Sequence, residues 1–149
     1  MFGWFIGRDL VRNVRKDLAA QKDIQLVCRK FIALQVVRTM HLVDEAGKRG
    51  GVPQMLEAAR GALHQAQHDK AALASGASSS ADYAWHAAAL CGSWADAQLA
   101  SLEGRISAKA IDKVDATIWA FVSSVLTPSE IAQAAKLARP RRALFLGSP

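Results

Sequence analysis

Helical periodicity of the apolar residues runs from residue 8 to residue 47, and its length constrains the fold more than any other feature. As one straight helix that span would be about 60 Å long, at ~1.5 Å per residue. A compact body built from this chain is only about 38 Å across. The helix must therefore bend, or project beyond the body and need a partner. The place for a bend is 20–23, where Asp23 follows Ala19-Ala20-Gln21-Lys22 and can cap a new helix starting at Ile24. Beyond it Leu26, Val27, Cys28, Phe31, Ile32, Leu34, Val36, Val37, Met40, Leu42 and Val43 surround most of the circumference. Such a helix is expected at the centre of a bundle, with neighbours on several sides.

The punctuation after it is equally plain. Gly47-Lys48-Arg49-Gly50-Gly51 reads as a break, and Pro53 suits the first turn of a helix reaching about Ala74. Ser75-Gly76-Ala77-Ser78-Ser79-Ser80 reads as a short flexible connection, with Ser80 capping a helix over about 81–103 that is rich in alanine and carries Trp85 and Trp94. Gly104 ends it, and Ser107 caps a strongly apolar helix over about 108–126 that includes Trp119. In Thr127-Pro128-Ser129-Glu130 a cap, a first-turn proline and a capping-box acid coincide, so a short helix should follow to about Ala138. The three tryptophans in these helices are expected to serve packing. No Val/Ile/Thr-rich alternating run occurs, and only four prolines. The expected fold is all-α: a single-domain bundle of five to six helices with a long or bent N-terminal helix. The bundle covers 1–139, with 1–18 a basic amphipathic arm, and a basic-apolar tail follows at 140–149.

Charge is unevenly spread. Of a net +6, residues 1–50 contribute +5, 51–135 contribute −3 and 136–149 contribute +4. On the N-terminal arm Phe2, Ile6, Leu10, Val11, Val14 and Leu18 form an apolar arc, and Arg8, Arg12, Arg15 and Lys16 lie opposite. Asp17 interrupts the arc, and Trp4 and Phe5 stand at a chain end that must fold back or anchor to something. Arg139, Arg141 and Arg142 make the tail basic. These nine residues, Trp4, Phe5, Arg8, Arg12, Arg15, Lys16, Arg139, Arg141 and Arg142, are the candidate binding residues. The mildly acidic middle of the chain offers a surface that the arginines could meet.

Catalytic patterns are sparse. His64 and His68 share a helix face at i, i+4 and are the candidate metal pair, but Gln65, Ala66 and Gln67 stand where a His-Glu-x-x-His motif needs its acid. His41 lies near Asp44 and Glu45 without a marked nucleophile, and no phosphate-binding glycine loop or Gly-x-Ser-x-Gly elbow occurs. Lys109, Asp112, Lys113 and Asp115 read as an exposed face of alternating charge. Cys28 and Cys91 sit in apolar helical patterns, which suits packing in a reducing compartment. No stretch resembles a signal peptide, and the most apolar later run, Ala116 to Leu126, is far below the ~20 residues of a membrane span.

The reading is a non-catalytic, cytoplasmic interaction protein of the adaptor, assembly, inhibitor or immunity-like kind. It uses no cofactor, shows no small-molecule substrate, and self-associates or binds a protein partner. The alternative is an anion-surface binder, for nucleic acid or an acidic membrane to which it is peripheral, acting through the N-terminal helix and the C-terminal tail.

Overall fold

The computed structural model describes residues 2–75 and 82–137, as five α-helices: α1 (Phe2–Ala20), α2 (Leu26–Ser75), α3 (Asp82–Leu102), α4 (Ala108–Val125) and α5 (Pro128–Leu137). No strand occurs among the described residues, so the fold is an all-α single-domain bundle. The proposed Ser80 cap and the tail at 140–149 lie outside the described residues.

The length problem is solved by two reversals. The first is the turn at 21–25. Ile24 donates its N–H to the Gln21 carbonyl at 3.0 Å, and the Gln25 carbonyl accepts from Cys28 and Arg29, so α2 starts two residues later than the Asp23 cap implies. The second reversal lies inside α2. Helix continues through Gly47, Lys48, Arg49 and Gly50, and the break expected over that whole segment is confined to Gly51, at φ 72° and ψ −159°. That backbone region is open to glycine almost alone. Pro53 then sits in the first turn of the second arm, where its missing N–H costs nothing.

The two arms of α2, 26–50 and 52–75, run antiparallel. Gly47 faces Met55 near the bend, while Phe31 and Leu73 wall the same groove at the far end. Helix α3 lies along both arms. It runs parallel to the first, with the Phe31 and Tyr83 rings edge to face at 5.1 Å and Thr39 near Cys91. It runs antiparallel to the second, where a Cβ on Gly92 would sit 3.2 Å from that of Ala66. Small residues on α3 (Ala87, Ala95, Ala97, Ala100) allow this close packing, and Trp94 fills the space between α3 and α4.

The core consists of Leu10, Val11 and Val14 of α1, Ile32, Val36, Val37, Met40 and Val43 of α2, Leu90 and Trp94 of α3, and Ile111, Val114, Ile118 and Val122 of α4. Helix α2 is central along this face, as its apolar load implies. The structure corrects that expectation at four positions: Leu26, Val27, Phe31 and Leu42 are exposed, because no described helix covers these sides of the first arm of α2. Trp119 is a further correction, since it is 38% exposed and lies on the face of α4 away from the core.

The cap signals at Ser107 and Thr127 hold. Ser107 Oγ accepts from the Ala110 N–H at 3.2 Å. Glu130 accepts from the Thr127 N–H at 2.9 Å, and Thr127 Oγ1 accepts from the Glu130 N–H at 3.2 Å, a complete capping box. Lys30 Nζ, 3.3 Å from the Glu130 carboxylate, ties α5 to the start of α2. These contacts hold the Glu130 carboxyl below its ordinary range, the Thr127 backbone bond contributing most.

Candidate functional site

The amphipathic arm docks on its own body. Leu10 and Val11 are 6% exposed and Val14 is fully buried, with Ile6 and Leu18 partly buried beside them, so the apolar side of α1 over residues 6–18 packs against α3 and α4. Asp17, which interrupts that arc in sequence, accepts a hydrogen bond from Ser93 Oγ of α3 and fixes the register of the packing. Near its start α1 crosses α4 at very short range: a Cβ on Gly7 would lie 2.9 Å from the Ala110 Cβ and 3.8 Å from Ile106.

This crossing places the cations of α1 against those of α4. A groove of about 520 Å³ between the two helices is lined by Gly7, Arg8, Val11, Arg12, Arg15, Ser107, Lys109, Ala110 and Lys113. Five of the nine are cationic, and none of the nine is acidic. Arg8 lies 4.0 Å from Asp9 at the groove edge. Arg12, Arg15, Lys109 and Lys113 have no carboxylate partner among the described residues. Among the described residues no ion pair joins the acidic middle of the chain to Arg12 or Arg15, and two of its carboxylates pair elsewhere, Glu103 with Arg60 and Arg105, and Glu130 with Lys30. Like charges held close on two facing walls repel each other, and an anion between them converts that repulsion into attraction.

Of the candidate binding residues, Arg8, Arg12 and Arg15 converge here. Lys16 is exposed outside the groove lining. The side chains of Trp4 and Phe5, and all of Arg139, Arg141 and Arg142, lie outside the described residues. Sequence reasoning missed Lys109 and Lys113, which it assigned to a solvated face with Asp112 and Asp115. The available signal was two lysines at i, i+4 just after the Ser107 cap, flanking the small Ala110. Asp115 does not belong to a solvated face at all. It accepts from Trp94 Nε1 at 2.9 Å, and burial, opposed by that bond, pushes its carboxyl above the ordinary range.

A second, wider groove of about 760 Å³ runs between the two arms of α2 and α3. Alanine is the commonest residue of its walls (Ala46, Ala58, Ala62, Ala66, Ala84 and Ala88 among them), with the half-exposed Phe31 and Leu42 on its rim. It holds no reactive constellation. Cys91 is in its lining, but burial pushes the thiol up to about 11, and it accepts from Thr39 Oγ1 at 3.5 Å. Such a thiol is a packing group rather than a nucleophile. Gln65 donates to Asp69 at 2.9 Å, leaving that carboxylate partly occupied.

His64 and His68 are exposed on the second arm of α2, and no group of three or more His, Cys, Asp or Glu side chains is arranged to hold a metal ion among the described residues. Asp44, near His41, is raised above its ordinary range, by burial first and by Glu45 as well. Gln21 is 1% exposed, and neither atom of its side-chain amide has a partner among the described residues. No helix among the described residues is long and apolar enough to cross a membrane. No family model matches the chain, and no curated protein or solved structure is significantly similar to it.

Proposed function

We propose that this protein is a non-catalytic helical module that binds anionic ligands through the groove between α1 and α4. One observation carries the reading: two helices distant in sequence present Arg8, Arg12, Arg15, Lys109 and Lys113 around one concave surface, four of them without an acid partner among the described residues. Assembling that charge costs folding stability through repulsion, and the cost has a use when an anion fills the groove. The buried apolar arc supports the same reading, since it leaves the cations as the accessible part of α1.

The test is titration calorimetry with inorganic polyphosphate at low salt. The protein should bind, with an affinity that falls steeply as salt rises. Arg12→Ala with Lys113→Ala, both at exposed positions, should weaken binding while leaving the helical circular-dichroism signal unchanged. Equal binding by wild type and double variant would remove the groove from the account.

A second reading, association with another copy of this chain, is favoured by the exposed apolar side chains. Val27 is 68% exposed and Leu26 50%, and Phe31 lies one turn from Val27 on the same helix. Apolar patches of this kind support isologous contacts. Light scattering across a concentration series tests it: a dimer mass that reverts to monomer in Val27→Glu supports it, and a monomer mass at every concentration refutes it.

A further inference from the structure

We infer that the anion is the phosphate backbone of a nucleic-acid duplex, gripped in the α1/α4 groove without reading of its bases. The inference rests on the anion-binding reading above and adds the ligand class. The first warrant is spacing. Arg8 to Arg15 covers seven residues of helix, about 10.5 Å at 1.5 Å per residue. Phosphates along one strand of a duplex advance about 3.4 Å each along the axis, so the row matches roughly three of them. Lys109 and Lys113 stand about 6 Å apart along the other wall, which matches about two more positions on the same strand. A row of charges on each wall suits a linear polyanion better than a lone phosphate.

The second warrant is shape. A concave groove of about 520 Å³ accepts a convex ridge, and a duplex strand presents one. A bilayer surface is flat and would meet only the rims. An interfacial helix also has to offer its apolar face to the lipid, and Leu10, Val11 and Val14 are buried in the core. Membrane contact would then depend on charge alone or on tearing α1 from the bundle.

The third warrant is the chemistry of the lining. Among the described residues it contains no aromatic side chain on which an unpaired base could stack, as proteins that hold single strands provide. It contains, among the described residues, no Asn or Gln to read adenine edges. It does contain Ser107, whose oxygen accepts the helix-capping bond from Ala110 and whose hydroxyl hydrogen remains to donate to a phosphate oxygen. The α4 amino terminus beside it adds its own partial positive charge. The set is suited to backbone contacts.

The experiment is fluorescence anisotropy at 50 and 200 mM salt. The probes are two 20-base-pair duplexes of unrelated sequence, an oligothymidine of equal length, vesicles containing phosphatidylserine, and inorganic polyphosphate. Both duplexes should bind alike. With about five phosphates neutralised, affinity should drop roughly 500-fold between the two salt concentrations. Arg12→Ala and Lys113→Ala should each lower the slope of log affinity against log salt by about 0.9, and Lys136→Ala on α5 should leave it unchanged. Polyphosphate binding without duplex binding overturns this inference and leaves the anion-binding function standing. Tighter binding of the oligothymidine than of the duplexes, vesicle binding without duplex binding, or a preference for one duplex sequence also overturns it. Binding of none of the probes overturns both.

Discussion

Replacing Gly7 by alanine opposes two effects whose signs differ, so the result is decisive. Alanine in place of glycine stabilises an unhindered helix by up to about 1 kcal/mol. At Gly7 the added Cβ would lie 2.9 Å from that of Ala110. Carbon atoms in contact prefer about 3.5–4.0 Å, so α1 and α4 must separate by roughly 0.6–1.1 Å. Overpacking of this kind costs about 1–3 kcal/mol. The net expectation is destabilisation by up to about 2 kcal/mol, a fall of several degrees in Tm for a chain of this length. Gly61→Ala is the internal control, because a Cβ there meets nothing within 4 Å on an exposed helix face, and it should raise Tm by about 2–3 °C. Thermal unfolding followed by circular dichroism reads both variants. If Gly7→Ala raises Tm as much as Gly61→Ala does, α1 does not cross α4 at Gly7, and the groove built on that crossing is lost with it.

The remaining predictions follow from the same geometry. Gly51→Ala places a side chain at φ 72°, ψ −159° and should destabilise the protein by about 1–3 kcal/mol, seen as a lower midpoint in urea; an unchanged midpoint would mean that the α2 reversal is not made there. Thr127→Ala removes one half of the capping box and should cost about 1 kcal/mol, and an unchanged midpoint would deny the cap its role. Burial raises the Asp115 carboxyl, so its ionisation opposes folding at neutral pH, and protonation on acidification through its raised pKa towards 3.8 relieves that penalty. Asp115→Asn can still accept from Trp94, so it should raise Tm at pH 7 by more than at pH 4; a gain that grows on acidification would reverse the assigned sign.

Much of the fold was legible because helix ends are local chemistry. Ser107 and Thr127 with Glu130 declare a boundary through the hydrogen bonds they make to the backbone, and Pro53 does so through the N–H it lacks. The buried side of α1 at Leu10, Val11 and Val14 was equally readable, since a 3.6-residue period needs no partner to be seen. Less visible was which face each neighbour covers. Leu26, Val27, Phe31, Leu42 and Trp119 belong to core-patterned helices, yet they are exposed because the described helices do not surround α2 and α4 completely. The Gly47–Gly51 segment carries three glycines, but neighbouring turns keep it helical up to Gly50, so composition overstated the break.

Half of the site was hidden for a similar reason. Arg8, Arg12 and Arg15 announce themselves by spacing on one helix. Lys109 and Lys113 join them only because Gly7 and Ala110, about a hundred residues apart, are small enough for α1 and α4 to cross in contact. Nothing in the local pattern around Lys109 distinguishes a solvated lysine from one wall of a groove.

The central claim is that anions enter between α1 and α4, and backbone amide chemical shifts test it most directly. A titration of isotopically labelled protein with a short duplex or with polyphosphate should move the amides of residues 7–16 and 107–113 first and furthest, with the moves reversed by added salt. Shifts concentrated instead along the alanine-lined groove of α2 and α3, or scattered over the surface without a cluster at α1 and α4, would contradict the account.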